Sequence, residues 1–151
     1  MENSLEVDLE NRKARFRDNF WQDSPYALSL LKGHLAIEEV LEEIIAFVCK
    51  DSAAFFDARL NFFSKIKMAQ AITGKQAKVW QCIEKLNSAR NELAHGRNDS
   101  LLEQKIDILI SVSRQHYPEA TWHTDRYENL ELSVICIHAA LSRIAYDQSK
   151  A

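Results

Sequence analysis

Apolar residues recur at intervals of three and four along most of this chain, which is the spacing of helices that bury one face. After Asp23-Ser24-Pro25, a capping residue followed by a proline predicts a long helix that runs to about Lys50. Its predicted buried stripe is Leu30, His34, Ile37, Leu41, Ile44 and Val48. Its predicted solvent side carries the glutamates Glu38, Glu39, Glu42 and Glu43.

The same spacing predicts five more helices. A solvated one covers about residues 5–20, and four with a buried face cover about 58–72, 76–95, 100–114 and 125–147. Residues 50–57 and 115–124 are expected to be loops, and Ser100 with Glu103 has the spacing of a capping box. The predicted inner face at 58–72 is Leu60, Phe63, Ile66, Lys67 and Ala71, broadened by Phe62.

Glycine and proline rarely interrupt this pattern, since the chain has only three Gly and two Pro. The predicted fold is therefore all-α, a bundle of five or six helices in which four long helices make the core. We expect one domain over residues 1–151, with residues 1–22 as a peripheral helix.

Composition narrows the class of protein further. The longest uncharged apolar stretch, Ile44 to Cys49, is far shorter than the roughly 20 residues of a membrane span, and the acidic N-terminus is unlike a signal peptide. The three cysteines show no metal or redox spacing. We therefore expect a cytoplasmic protein with no membrane partner, no metal and no cofactor.

Charge is distributed unevenly along the chain. The net charge of −3 argues against a domain that coats nucleic acid over its whole surface. Between Arg59 and Arg97, eight basic residues stand against two acidic ones, so this segment is +6 and the remainder is −9. An anionic ligand is expected at the basic segment, where Lys67, Lys85 and Arg97 are candidate phosphate or RNA contacts.

The densest polar cluster lies near the end of the helix predicted at 76–95, in Arg90-Asn91-Glu92-Leu93-Ala94-His95. At about 100° per residue, Asn91 and His95 share a face and Arg90 lies about 140° from His95, so the three can border one groove. His95 is in the last turn, where free backbone carbonyls favour a protonated imidazole. Arg90 has a permanently charged, planar guanidinium that can bind a phosphate group. The alternative is structural, with Arg90 as a surface ion-pair partner and His95 as a helix cap.

This segment resembles the signature of the HEPN superfamily, which is an Arg, a polar residue, several further residues and a His near the end of a core helix in an all-α bundle. The preceding helix is similar to that of HEPN-like proteins that include the mannitol operon repressor family. Lys32-Gly33-His34-Leu35, with Glu38 or Glu39, resembles the start of that group's long helix. The resemblance spans about Leu30 to Gly96, a little under half of the chain.

The resemblance implies a metal-independent RNA endonuclease in a toxin or stress-response setting, with Arg90 and His95 as the catalytic pair and Asn91 as the polar residue after the arginine. The implied partners are RNA, a second copy of the chain and an antitoxin or regulatory protein. Cleavage by a 2′-hydroxyl needs a base and an acid, which a homodimer with facing motifs would supply from one motif His per chain. The alternative is a non-catalytic regulatory or protein-interaction module, similar to the mannitol repressor branch.

The other histidines and the aromatic residues are weaker candidates. His34 beside Gly33 is more typical of a packed side chain where another helix approaches closely, and with Glu38 it is a secondary candidate for the site. His116 and His123 lack a Cys or carboxylate at ligand spacing, so no zinc site is expected. The scattered tryptophans do not indicate an aromatic platform for bases.

Overall fold

The computed structural model describes residues 6–14, 24–74, 77–95 and 98–151, and these residues form seven helices and no strand. Helix α1 covers 6–14. The others are α2 (Ala27–Val48), α3 (Ser52–Asp57), α4 (Phe62–Thr73), α5 (Val79–His95), α6 (Asp99–His116) and α7 (Arg126–Lys150). The predicted all-α bundle is confirmed for these residues, with one helix more than expected. The rest of the predicted N-terminal helix, and Gly96 and Arg97, lie outside the described residues.

Helix α2 lies at the centre of the bundle and packs against α4, α5 and α7, while α5 and α7 both pack against α6. Gly33 lies where α2 and α7 approach, because a Cβ at this position would be only 2.8 Å from Cγ1 of Val134. The close helix approach predicted beside His34 is therefore confirmed. The largest fully buried side chains are Leu30, Ile37, Leu41, Ile44, Ile45, Ile66, Ile83, Leu86, Ile106, Leu109, Leu130 and Ile137.

The segment before α4 differs from the prediction of a loop at residues 50–57. Asp51 caps the short helix α3 by accepting a hydrogen bond from the Ala54 N–H at 3.2 Å. Arg59 then adopts a positive φ of 49°, and Asn61 caps α4 by accepting from the Ser64 N–H at 2.8 Å. Because Arg59 leaves the helical conformation and Asn61 caps the next helix, the helix expected from residue 58 begins four residues later.

This later start also changes which face of α4 is buried. The prediction for the inner face was wrong at three positions, which the structure exposes: Phe63, Lys67 and Ala71. The buried residues are instead Phe62, Lys65, Ile66 and Ala69. A lysine therefore points toward α2, and a phenylalanine lies at the surface. The prediction that α4 ends at Gly74 is confirmed, since Gly74 has a φ of 102° and its N–H donates to the carbonyl of Gln70.

The starts of α6 and α7 are set by side-chain caps. Asn98 caps α6 by accepting from the Ser100 N–H at 2.9 Å, so the predicted capping box was wrong and Ser100 lies inside the helix. Asp125 caps α7 by accepting from the Glu128 N–H at 3.0 Å. The helix therefore begins one residue before Ser100, with Asn98 as its N-cap.

Candidate functional site

Helices α2, α4 and α5 enclose a cavity of about 420 Å³ at the part of the bundle that contains the Arg90 motif. Helix α5 places Asn87, Arg90 and Asn91 on this cavity because residues three and four apart share a helix face. The same spacing brings His34 and Glu38 of α2 to it. The start of α4 completes the lining with Asn61, Phe62 and Phe63.

His34 is the most deeply buried titratable side chain at this cavity, with only 6% of its surface exposed. Its ring lies against Phe62 with the centroids 3.9 Å apart, and its Nδ1 is 4.0 Å from Oε2 of Glu38. Its Nε2 is buried and has no hydrogen-bond partner among the described residues. Burial, followed by the positive charge of Arg90, lowers the pKa of His34 below its ordinary 6.5. The imidazole is therefore neutral at pH 7, and one of its nitrogens is free to accept a proton or a hydrogen bond.

Lys65 holds the carboxylate that lies beside His34. Its Nζ donates to Oε1 of Glu38 at 2.7 Å and to Oε1 of Glu42 at 2.5 Å, and the residue is only 9% exposed. Burial alone would lower the pKa of Lys65, but the hydrogen bonds to the two carboxylates raise it overall, so the ammonium stays charged. Two of the glutamates predicted to face solvent are thus half-buried and tied to α4.

Arg90 carries a charge that the surrounding side chains do not neutralise. Its Nε is buried without a hydrogen-bond partner, and its Nη1 reaches only Oδ1 of Asn91, at 3.4 Å. Among the described residues, no carboxylate forms an ion pair with its guanidinium. A buried or half-buried guanidinium in proteins normally meets an acceptor, so Arg90 has hydrogen-bond donors that the described residues leave unused. In the described parts of the chain, Arg90 is thus not the ion-pair partner of the alternative prediction.

His95 is separated from this arrangement. It is the last residue of α5, its side chain is exposed, and it is not among the described residues that line the cavity. The structure therefore brings together Arg90, Asn91, His34 and Glu38, and places His95 beyond the cavity on the same helix.

The three predicted basic contacts have different surroundings. Lys67 is exposed and pairs with Glu84, with Nζ and Oε1 2.5 Å apart. Lys85 is exposed on α5, and Arg97 lies outside the described residues. The basic segment seen in the sequence is therefore partly neutralised where the structure describes it.

Sequence reasoning missed several residues of this site, namely Asn61, Phe62, Lys65 and Asn87 as lining or supporting groups. Asn87 has a visible signal, because it precedes Arg90 by three residues and so shares its helix face. Lys65 also has one: it lies between Phe62, Ile66 and Ala69 at helical spacing, and α2 offers two glutamates four residues apart. These signals become useful only when α4 is known to begin at Phe62.

Other histidines have local partners. Nε2 of His116 is 2.6 Å from Oε1 of Gln81, and Nδ1 of His123 is 3.3 Å from Oε2 of Glu128. In the described parts of the chain, no group of three His, Cys, Asp or Glu side chains is placed to hold a metal ion. No helix among the described residues is long and apolar enough to cross a membrane.

No protein-family model, curated protein or solved structure matches this chain.

Proposed function

We propose that this chain is a metal-independent RNA endonuclease of the HEPN type, with its active site formed by the cavity between α2, α4 and α5 and by the adjoining end of α5, which carries His95. The observation that carries the proposal is the pairing of two unsatisfied groups. Arg90 has an unneutralised charge and a buried free Nε, and His34 has a lowered pKa and a buried free Nε2 in the same cavity. An arginine binds a phosphodiester, and a neutral imidazole accepts a proton from a hydroxyl.

The proposed reaction uses the RNA's own 2′-hydroxyl as nucleophile. Its proton passes to a neutral imidazole, its oxygen forms a bond to phosphorus, and the bond from phosphorus to the 5′-oxygen breaks. Arg90 stabilises the charge that builds on the phosphate oxygens, and the leaving 5′-oxygen takes a proton. The products are a 2′,3′-cyclic phosphate and a 5′-hydroxyl, and DNA is not cleaved.

We assign the proton-accepting role to His34 and the proton-donating role to His95. Nδ1 of His34 lies 4.0 Å from Oε2 of Glu38, so the unpartnered Nε2 is the nitrogen that takes the proton in this proposal. Lys65 in turn fixes Glu38. His95 is the last residue of the helix that carries Arg90, and its exposed side chain is open to a strand bound at the cavity.

The test is incubation of purified protein with labelled RNA in EDTA, followed by analysis of the product ends. We expect cleavage to persist, and we expect Arg90→Ala and His95→Ala each to lower its rate by roughly 10²-fold or more. His138→Ala is the matched control, because His138 is also an exposed helical histidine, on α7. Cleavage that requires a divalent metal, or equal rates for His95→Ala and His138→Ala, would contradict the proposed mechanism.

The second candidate function is a non-catalytic regulatory or protein-interaction module. It is favoured by exposed apolar side chains along one part of α2 and α7, which are Leu28, Leu31, Leu35 and Ile135. Folded wild-type protein that binds no RNA and leaves it intact would make this the better account.

The resemblance also predicts a homodimer with the two Arg90 motifs facing one cleft. Light scattering at micromolar concentration measures this directly, and twice the chain mass of 17.4 kDa is expected. A monomer that still cleaves RNA would show that His34 and His95 of one chain are sufficient.

A further inference from the structure

A second cavity of about 450 Å³ adjoins the first along α4 and α5. Phe63, Asn87 and Asn91 line both cavities, so the two form one continuous groove. The second cavity adds the side chains of Lys67, Glu84 and Ser88. The groove therefore runs from Arg90 and His34 at one end to a lysine at the other.

Phe63 lies where the two cavities meet, and 52% of its surface is exposed. It follows Phe62, which is buried against His34, so α4 places one ring at the floor of the first cavity and the next at the surface of the groove. Nζ of Lys67 is 5.4 Å from the centroid of the Phe63 ring. An exposed ring with a neighbouring cation, set beside an arginine that lacks a counter-ion, has the composition of a surface that binds nucleotides.

The amide side chains of Asn87 and Asn91 flank this ring on the groove. A carboxamide offers one acceptor and two donors, which match the hydrogen-bonding edges of nucleobases. Neither residue is needed to explain the helix, since α5 would form equally well with alanine at both positions. The groove thus combines an aromatic face and amide groups with the unpaired charge of Arg90 at one end, while the charge of Lys67 at the other end is paired with Glu84.

We infer that Phe63 stacks against a nucleobase next to the phosphate held by Arg90, with Asn87 and Asn91 contacting the edge of that base. This inference rests on the proposed function, because it takes the ligand to be an RNA strand. It specifies the substrate class as single-stranded or unpaired RNA. A base inside a duplex is stacked between its neighbours and does not reach an aromatic side chain.

Binding of a short 2′-O-methyl oligoribonucleotide of mixed sequence tests the inference, since its blocked 2′-oxygens prevent cleavage. Fluorescence anisotropy gives Kd for the wild type and for Phe63→Ala, and we expect a weakening of about tenfold. Phe63→Trp should bind as well as the wild type or better, because it keeps a stacking surface. The matched control is Phe56→Ala, since Phe56 is 51% exposed on α3 and lines neither cavity.

Two further probes separate this inference from the proposed function. An abasic oligonucleotide of the same length should bind Phe63→Ala and the wild type equally, and pairing the mixed-sequence probe with its complement should weaken binding to the wild type. If Arg90→Ala loses binding while Phe63→Ala matches Phe56→Ala, the stacking inference is overturned and the phosphate site stands. If Arg90→Ala and Phe63→Ala both bind like the wild type, the proposed function fails as well.

Discussion

Two clusters of polar side chains lie between helices in this protein, and they differ in how completely their hydrogen bonds are made. Between α6 and α7, Arg126 forms two bonds to Asp107, at 2.7 and 3.0 Å, and a further ion pair with Glu103 at 3.3 Å. Asn129 both accepts from and donates to the backbone of His123. We call these residues the α6–α7 clamp.

The cavity between α2, α4 and α5 is the opposite case. Lys65 is fully engaged by Glu38 and Glu42, but Arg90 and His34 each keep a buried nitrogen without a partner among the described residues. One other buried polar atom among the described residues lacks a partner, Oγ of Ser113 on α6, so the distinctive feature of the cavity is that two unpartnered nitrogens share it. The clamp therefore stabilises the fold, and the cavity is where the proposed chemistry would take place.

The largest effect on stability is expected from the supporting lysine of the cavity. Lys65→Ala would leave two half-buried carboxylates unpaired, so the free energy of unfolding should fall by about 3 kcal/mol. Urea unfolding measures this loss. Lys67→Ala removes an exposed pair on the same helix and should cost less than about 1 kcal/mol. Equal losses for the two variants would show that the buried network does not stabilise α4 against α2.

A smaller difference in the free energy of unfolding is expected between two asparagine variants, one in the clamp and one at the cavity. Asn129→Ala removes both hydrogen bonds to the backbone of His123 and should cost about 1 to 2 kcal/mol. Asn91→Ala loses only the long 3.4 Å contact with Arg90 and should change stability by less than about 0.5 kcal/mol. Thermal unfolding of the two variants under the same conditions measures both losses of stability. A larger loss for Asn91→Ala than for Asn129→Ala would contradict this prediction.

The smallest expected effect is a dependence of stability on pH. Burial and then the charge of Arg90 lower the pKa of His34 below 6.5, with Lys65 acting in the same direction and Glu38 against them. As pH falls below 6.5, the unfolded chain takes up this proton before the folded one, so the free energy of unfolding decreases. The contribution is fully retained above that pH. His34→Gln should show a flatter profile than the wild type in urea unfolding at about pH 7.5 and about pH 5.

A control variant keeps this pH experiment specific. His138→Gln changes an exposed histidine on α7 and should keep the wild-type slope. If His34→Gln also keeps that slope, the lowered pKa of the buried imidazole is contradicted.

The sequence predicts the helical class and most of the buried stripe of α2, because periodic apolar spacing over 20 or so residues averages out local exceptions. His34 was correctly placed on that stripe, and the close approach at Gly33 followed from the absence of a side chain there. The prediction that Val48 is buried was wrong, since Val48 lies exposed in the last turn of α2. Residues at the ends of a helix pack against fewer other residues than those in its middle, so the apolar spacing predicts burial least well at the ends.

The candidate site was predicted only in part, and the reason is the start of α4. The sequence offers no strong break at Arg59, so the predicted helix began at residue 58 and its buried face was assigned to Phe63 instead of Lys65. The Lys65 network and the exposed Phe63 both depend on that geometry. The sequence motif predicted that Arg90 and His95 act together. The proximity of Arg90 to His34 depends instead on how α2 and α5 pack, and no local sequence pattern specifies that packing.

The most direct test of the contrast between cavity and clamp compares two arginines. RNA cleavage in EDTA and urea unfolding are measured for Arg90→Ala and Arg126→Ala. The account predicts that Arg90→Ala cleaves roughly 10²-fold more slowly with little change in stability, because its charge has no carboxylate partner among the described residues. Arg126→Ala should lose about 1 to 2 kcal/mol of stability and keep its cleavage rate. If Arg90→Ala instead unfolds as easily as Arg126→Ala and cleaves as fast as the wild type, the cavity is structural and the account is contradicted.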